Sequence, residues 1–116
     1  MQAEGTPDAA SIGFPDRYPP RRIRLSGTEA RIGRRSTSRR IEPEIDLRGP
    51  PTDPGVSRLH AKLVAGPDGS WSVMDLGSTS GTLVNGSEIA PGETVLLREG
   101  DHINLGAWTM ITMTCG

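Results

Sequence analysis

The sequence contains one cysteine and two histidines, which limits the disulfide and metal chemistry open to it. Cys115 has no second cysteine with which to form an internal disulfide. His60 and His102 have no adjoining cluster of other ligand residues, so we expect no metal site and no cofactor. A single free thiol fits a reducing compartment, and we expect a cytoplasmic protein.

Long apolar runs and a large net charge are also absent. No stretch reaches the about 18 consecutive apolar residues of a membrane span, and the N-terminus lacks a signal-peptide pattern, so we expect no membrane insertion. The net charge is −1 and aromatic residues make up 3%, which does not favour nucleic-acid binding. Lys62 is the only lysine, and the arginine-rich, glycine-rich and proline-rich composition is typical of a GC-rich bacterial genome.

Helical periodicity is missing, and turn residues are abundant. Fifteen glycines and ten prolines separate short apolar stretches. Asn85-Gly86 is the strongest short-range hairpin signal in the chain. The pattern predicts an all-β antiparallel sandwich or barrel, with strands near residues 22–25, 30–33, 44–47, 60–64, 71–76, 82–86, 94–97, 102–105 and 108–114.

The residue pattern of the chain changes near residue 21. Residues 1–20 contain four prolines and no sustained period, so they are predicted to form a flexible tail or linker. Residues 21–116 are predicted to form one β-sandwich domain, which we expect to be monomeric in isolation. Two long connections, 35–44 and 48–58, are expected to be functional or mobile.

The segment "GVSRLHAKL" (55–63) places Ser57, Arg58 and His60 close together. A serine hydrolase would use Ser57 as nucleophile, His60 as base and an acid such as Asp75. Against this, the segment is not G-x-S-x-G and no strand-turn-helix surrounds it. The alternative is a socket for an anion, since Arg34, Ser57 with Arg58, and "GSTSGT" (77–82) all lie at predicted strand ends and supply cations, hydroxyls and backbone N–H groups.

Four motifs in a fixed order resemble the forkhead-associated (FHA) domain. They are "IGR" (32–34), "VSRLHA" (56–61), "DLGSTSGTLVNG" (75–86) and "LREGDHINLG" (97–106), and the resemblance covers roughly residues 22–114. It implies an FHA/SMAD-like antiparallel β-sandwich of about ten or eleven short strands, with recognition loops at one end. It also implies binding of phosphothreonine peptides without catalysis.

The resemblance assigns roles to individual residues. The residues implied to bind the phosphopeptide are Arg34, Ser57, Arg58, Thr79 and Ser80. Those implied to support the site are Gly33, His60, Gly81, Asn85 and Gly86. The sequence departs from the family at Ser80, where an asparagine commonly grips the peptide backbone. Serine is shorter and lacks the carboxamide, so we expect weaker or differently selective binding.

Two further segments carry hypotheses of their own. The arginine-rich loop 34–40 contains Arg35, Arg39 and Arg40, which form either a solvated surface or a field that steers an anionic peptide. Thr6 precedes a proline in the predicted tail, so it is either part of a passive linker or a phosphorylation site that the domain could bind, on its own chain or on a neighbour.

The resulting functional prediction is a phosphothreonine-dependent protein–protein recognition module in Ser/Thr kinase signalling. Its partner would be a phosphothreonine-containing protein, either a Ser/Thr kinase or a kinase substrate, and it would not be an enzyme. One alternative is an FHA-like scaffold that binds an unphosphorylated partner. The other is a small serine hydrolase acting through Ser57.

Overall fold

The computed structural model describes residues 7–13, 21–36, 40, 43–47 and 53–114. These residues form strands without helices, so the described part of the chain holds no helix able to cross a membrane. The strands are β1 (Ala9–Gly13), β2 (Arg21–Arg24), β3 (Glu29–Gly33), β4 (Ile45–Asp46), β5 (Leu59–Ala65), β6 (Trp71–Asp75), β7 (Thr82–Val84), β8 (Ser87–Glu88), β9 (Thr94–Leu96), β10 (His102–Leu105) and β11 (Thr109–Thr114).

The strands form two sheets. Sheet A has the order β2-β1-β11-β10-β7-β8, and sheet B has the order β4-β3-β5-β6-β9. The predicted all-β sandwich is confirmed, but one pair is not antiparallel: β3 and β4 run parallel and pair Ile32 with Ile45. The long connection between these two strands lets the chain return in the same direction, which a tight turn could not do.

The core lies between the sheets and follows the alternation in the sequence. In β6, Trp71 and Val73 are buried while Met74 is half-buried, as the 71–76 pattern predicts. In β11, Ile111 and Met113 are fully buried. The predicted Asn85-Gly86 turn joins β7 to β8, with positive φ angles of 50° and 85°.

Strand β1 lies where the sequence predicted a flexible tail, and that prediction is wrong for residues 9–13. These residues pair with β2 on one side and with β11 on the other. Ala10 and Ile12 are completely buried. The small side chains of "AASIG" give a weak local signal, and the strand depends on partners at the other end of the sequence. Thr6 lies outside the described residues.

The two ends of the sandwich carry different loops and strand ends. At the loop end, β3 and β6 end, and β5, β7 and β11 begin; Gly33 pairs with Leu59 there. At the far end, Ala9 of β1 pairs with Thr114 of β11. The loops that contain the residues predicted to bind the phosphopeptide all leave from the loop end.

Candidate functional site

The five residues implied to bind a phosphopeptide line one open depression at the loop end, with a volume of about 370 Å³. These residues are Arg34, Ser57, Arg58, Thr79 and Ser80. They come from three segments: the residue after β3, the residues before β5, and the loop between β6 and β7. The convergence that the strand ends suggested is therefore present in the fold. We call this cavity the cationic depression.

Gly33 allows the backbones of Arg34 and Arg58 to approach each other closely. A Cβ added at Gly33 would stand 1.9 Å from the backbone oxygen of Arg58, closer than any side chain allows. The absent side chain lets the Arg34 N–H donate to the Arg58 carbonyl at 3.1 Å. The backbones of the two cationic residues are thereby joined at the edge of the depression.

Arg34 brings a buried donor into the depression. The Arg34 side chain lines the cavity, and its Nε is buried without a hydrogen-bond acceptor among the residues the structure describes. A buried N–H that lacks an acceptor costs about 1–3 kcal/mol.

Ser57 and Thr79 connect two of the three segments. The backbone N–H of Thr79 donates to the Ser57 hydroxyl oxygen at 3.2 Å. Because the hydroxyl accepts this bond, its own proton remains available to a ligand in the cavity.

Ser80 also joins two loops. Its hydroxyl donates to the backbone oxygen of Gly55 at 2.6 Å. A serine hydroxyl has one proton, so this bond occupies the donor that could otherwise reach a peptide backbone. In this structure Ser80 braces the 77–81 loop against the segment before β5.

His60 is completely buried below the cavity, and both of its ring nitrogens are bonded. Nδ1 accepts the backbone N–H of Ser57 at 3.1 Å, and Nε2 lies 2.8 Å from the Gly81 carbonyl oxygen, to which it donates. Burial lowers the pKa of His60 below its ordinary value, against the raising effects of the Gly81 carbonyl, Asp75 and Asp53. The neutral ring with its proton on Nε2 satisfies both bonds.

In this geometry His60 does not serve as a base for the Ser57 hydroxyl. Neither nitrogen of His60 bonds the Ser57 hydroxyl, because one holds the main chain of Ser57 and the other holds Gly81. The arrangement that a serine hydrolase requires is therefore not formed by the proposed pair. Within the described ranges, no group of His, Cys, Asp and Glu side chains is placed to hold a metal ion.

Asp75 organises the loop between β6 and β7. It accepts from the backbone N–H groups of Gly77 and Ser78 and from the hydroxyls of Ser78 and Thr82. Burial alone would raise the pKa of Asp75, but these hydrogen bonds lower it below its ordinary value. The carboxylate is thus a charged anchor for the loop that carries Thr79 and Ser80.

Asp53 performs the same task for the segment before β5, and the sequence analysis missed it. It accepts from the backbone N–H groups of Gly55, Ala107, Trp108 and Thr109 and from the Thr109 hydroxyl, at 2.8–3.0 Å. Burial raises the pKa of Asp53, but the hydrogen bonds outweigh it and hold the value at about 2. The Asp-Pro-Gly turn signal at 53–55 hinted at a local bond, but not at partners beyond residue 100.

Of the other residues predicted to support the site, one borders the cavity and two lie in a turn away from it. Gly81 has a φ of 83° in the loop that borders the cavity. Asn85 and Gly86 form the β7–β8 turn, and Asn85 bonds Asp101 and His102 rather than any residue of the cavity. They support the hairpin and do not line the cationic depression.

Two of the three predicted steering arginines, Arg35 and Arg40, lie outside the cavity lining. Arg35 is exposed, and its backbone N–H donates to the Asp46 carboxylate at 3.0 Å. Arg40 is exposed with a φ of 54°. Arg39 falls outside the described residues. Steering by these residues remains a prediction.

Comparisons with known proteins place this site in a family. The FHA domain family model matches residues 30–106. The chain is similar to Protein FraH of Nostoc, with 37% identity over 73 residues that cover 63% of this chain and 25% of FraH. It therefore spans only a fraction of the length of that relative.

Solved structures agree in fold. The FHA domain of an Arabidopsis thaliana hypothetical protein is similar at 29% identity and a TM-score of 0.72, covering 100% of this chain and 93% of that one. An FHA domain studied for phosphothreonine-dependent interactions is similar at 26% identity and a TM-score of 0.70, covering 93% and 97% of the two chains. The chain belongs to the FHA domain family.

Proposed function

We propose that this member of the FHA domain family is a phosphothreonine-dependent protein–protein recognition module, and that the cationic depression holds the phosphate. The observation that carries the proposal is that Arg34, Arg58 and Ser57 line one cavity at the loop end. Arg34 also holds a buried Nε that has no acceptor among the described residues. FHA domains are interaction modules rather than enzymes, and we infer the same for this chain.

The chemistry of the cavity matches a phosphate monoester. A phosphothreonine carries about −1.5 to −2 charges at neutral pH and offers three strong acceptor oxygens. Arg34, Arg58 and Ser57 line the same cavity and offer two guanidinium groups and a hydroxyl as donors. Charge-assisted hydrogen bonds of this kind contribute about 1.5–3 kcal/mol each.

The Ser80 bond predicts how the peptide is held. The Ser80 hydroxyl donates to the Gly55 carbonyl at 2.6 Å. We therefore expect it to contribute little binding energy through contacts with the peptide backbone. Affinity then rests mainly on the phosphate, and we expect a weaker interaction than an asparagine at this position would give. Binding of an unphosphorylated partner is the alternative that the binding experiment distinguishes.

The biological setting proposed for the module is Ser/Thr kinase signalling in the cytoplasm, with a kinase or a kinase substrate as partner. The support is indirect: a similar FHA domain was studied for phosphothreonine-dependent interactions. The chain matches only 25% of FraH, so the activity of any larger protein does not follow from this domain.

The test is titration with one peptide in phosphothreonine, phosphoserine and unphosphorylated forms. We expect binding to the phosphothreonine form, weaker binding to phosphoserine, and loss of binding in Arg34→Ala. Arg24→Ala is the matched control, because Arg24 is exposed and pairs with Ala9 at the far end of the sandwich. Equal binding to phosphorylated and unphosphorylated peptides would instead establish the scaffold alternative.

A further inference from the structure

A second depression, with a volume of about 390 Å³, lies beside the cationic depression. The two cavities share Thr79 and Ser80 as a common wall. The opposite side of the second cavity comes from β8 and the residues after it, including Glu88, Ile89 and Pro91. A peptide anchored by its phosphate and leaving across Ser80 therefore enters this second cavity, which we call the acidic depression.

The two cavities have opposite charge. Arg34 and Arg58 line the first, whereas the lining of the second contains Glu88 and Asp75 and no lysine, arginine or histidine. Asp75 is 2% exposed and already accepts several hydrogen bonds from its own loop. It contributes negative charge from the floor, and Glu88 is the carboxylate that a ligand can reach.

Glu88 is positioned by the hairpin and by a glycine. It pairs with Leu83 across the β7–β8 ladder. A Cβ added at Gly81 would stand 2.6 Å from a Glu88 carboxylate oxygen, so glycine is what lets this carboxylate lie against the loop. Glu88 is exposed, and its carboxylate makes no hydrogen bond or ion pair with the described part of the chain.

The residues that follow Glu88 in the cavity wall can pack against the methylene groups of a long basic side chain. Ala90 and Pro91 are exposed in the cavity lining after Glu88, whereas Ile89, between Glu88 and Ala90, is buried in the hydrophobic core. Lysine and arginine place their methylene groups along apolar surfaces and extend the charged group to a polar partner. An apolar wall that ends at an unpaired carboxylate has the shape and charge that such a side chain needs.

We propose that Glu88 selects phosphothreonine peptides that carry a lysine or arginine on one side of the phosphothreonine. The phosphate occupies the cationic depression, the chain crosses Ser80, and the basic side chain lies along Ala90 and Pro91 with its charge at Glu88. A glutamate at the same peptide position would meet two carboxylates and is disfavoured. This inference rests on the proposed function, since it requires the phosphate to fix the register.

The experiment is a positional scan of a phosphothreonine peptide, with arginine, glutamine or glutamate placed in turn at each flanking position. On the wild type, we expect arginine to bind about two- to fivefold more tightly than glutamine at a position on one flank, the range of an exposed ion pair. Glu88→Gln should abolish that preference, and Glu88→Lys should turn it toward glutamate. All variants should still require the phosphate.

Glu99→Gln is the matched control. Glu99 is exposed in a turn at the far end, where the neighbouring Gly100 N–H donates to the Met113 carbonyl. The same loss of one charge there should leave the arginine preference unchanged. Phosphate-dependent binding without an arginine preference, or a preference that survives Glu88→Gln, overturns the selection by Glu88 and leaves the proposed function intact. Absence of phosphate-dependent binding in the wild type overturns both.

Discussion

The backbone N–H of Ser57 donates to Nδ1 of His60 at 3.1 Å, while the Ser57 hydroxyl bonds the backbone of Thr79 instead. The histidine therefore fixes the main chain of the serine and leaves its side chain directed to another loop. A motif whose residue types match a nucleophile and its base here supports the wall of the cationic depression. The distinction depends on which atom of the serine meets the imidazole.

The buried neutral state of His60 predicts a pH-dependent stability. Its pKa is lowered in the folded protein from an ordinary value of 6.5, so the unfolded chain binds more protons below that pH. Stability is therefore fully present above about pH 6.5 and falls as the pH drops below it. Denaturant unfolding at about pH 7.5 and about pH 5.5 should show a loss in the wild type that is absent in His60→Gln.

The same series has an internal control. His60→Gln should also be less stable by about 2 kcal/mol at the higher pH, because two buried hydrogen bonds are disturbed. His102→Gln removes the other histidine, at an exposed position of β10, and is the control substitution. A wild-type stability that is flat across this range would show that His60 does not resist protonation.

Asp53 should be among the most sensitive polar positions in the protein. Asp53→Ala removes the carboxylate to which four backbone N–H groups and one hydroxyl donate. We expect the free energy of unfolding to fall by about 3–5 kcal/mol. Asp68→Ala, an exposed turn residue, is the comparison. Urea denaturation measures both, and equal small effects would contradict the role assigned to Asp53.

The lowered pKa of Asp53 also predicts that the protein loses stability in acid. This pKa is about 2 in the folded protein against an ordinary 3.8. The stabilisation is present above pH 3.8 and decreases as the pH falls from there toward 2. This window lies below that of His60, so the two contributions separate in a pH titration of stability.

Gly33→Ala should damage both fold and binding. The added Cβ would meet the Arg58 backbone oxygen at 1.9 Å, so the strand or the arginine segment must shift, at a cost of about 2–3 kcal/mol. Gly13→Ala is the matched control, because its Cβ would meet only the Met110 oxygen at an ordinary 3.6 Å. Thermal unfolding and phosphopeptide titration together test the pair; wild-type values for Gly33→Ala would show that the two backbones can separate freely.

A phosphate on Thr6 should bind a neighbouring chain rather than its own. Ala9 pairs with Thr114 at the far end, and β11 separates that end from the loop end by about 17 Å. The three residues from Thr6 to Ala9 extend at most about 11 Å. Phosphorylated protein should therefore associate in sedimentation as its concentration rises, and Arg34→Ala should abolish the association. A monomer whose Arg34 signals shift independently of concentration would show that β1 detaches and folds back.

Local patterns were sufficient for most strands and for the site motifs. The alternation in 71–76 and the Asn85-Gly86 turn report on their own neighbourhoods, because side-chain period and turn geometry are set by adjacent residues. The motifs around Arg34, Ser57 and Thr79 named the residues that line the cationic depression. Strand β1 escaped detection because its small residues form a strand only when β2 and β11 lie on either side.

Strand periodicity, the residue types in each loop and the family resemblance can all be read from the amino-acid order. Which atoms face one another depends on the folded arrangement: Asp53 accepts from Ala107 to Thr109, Ser80 donates to Gly55, and Glu88 borders a second cavity. The physical reason is that hydrogen bonds and charges act over a few ångströms in space. The residues they join here lie far apart along the chain, where no local pattern connects them.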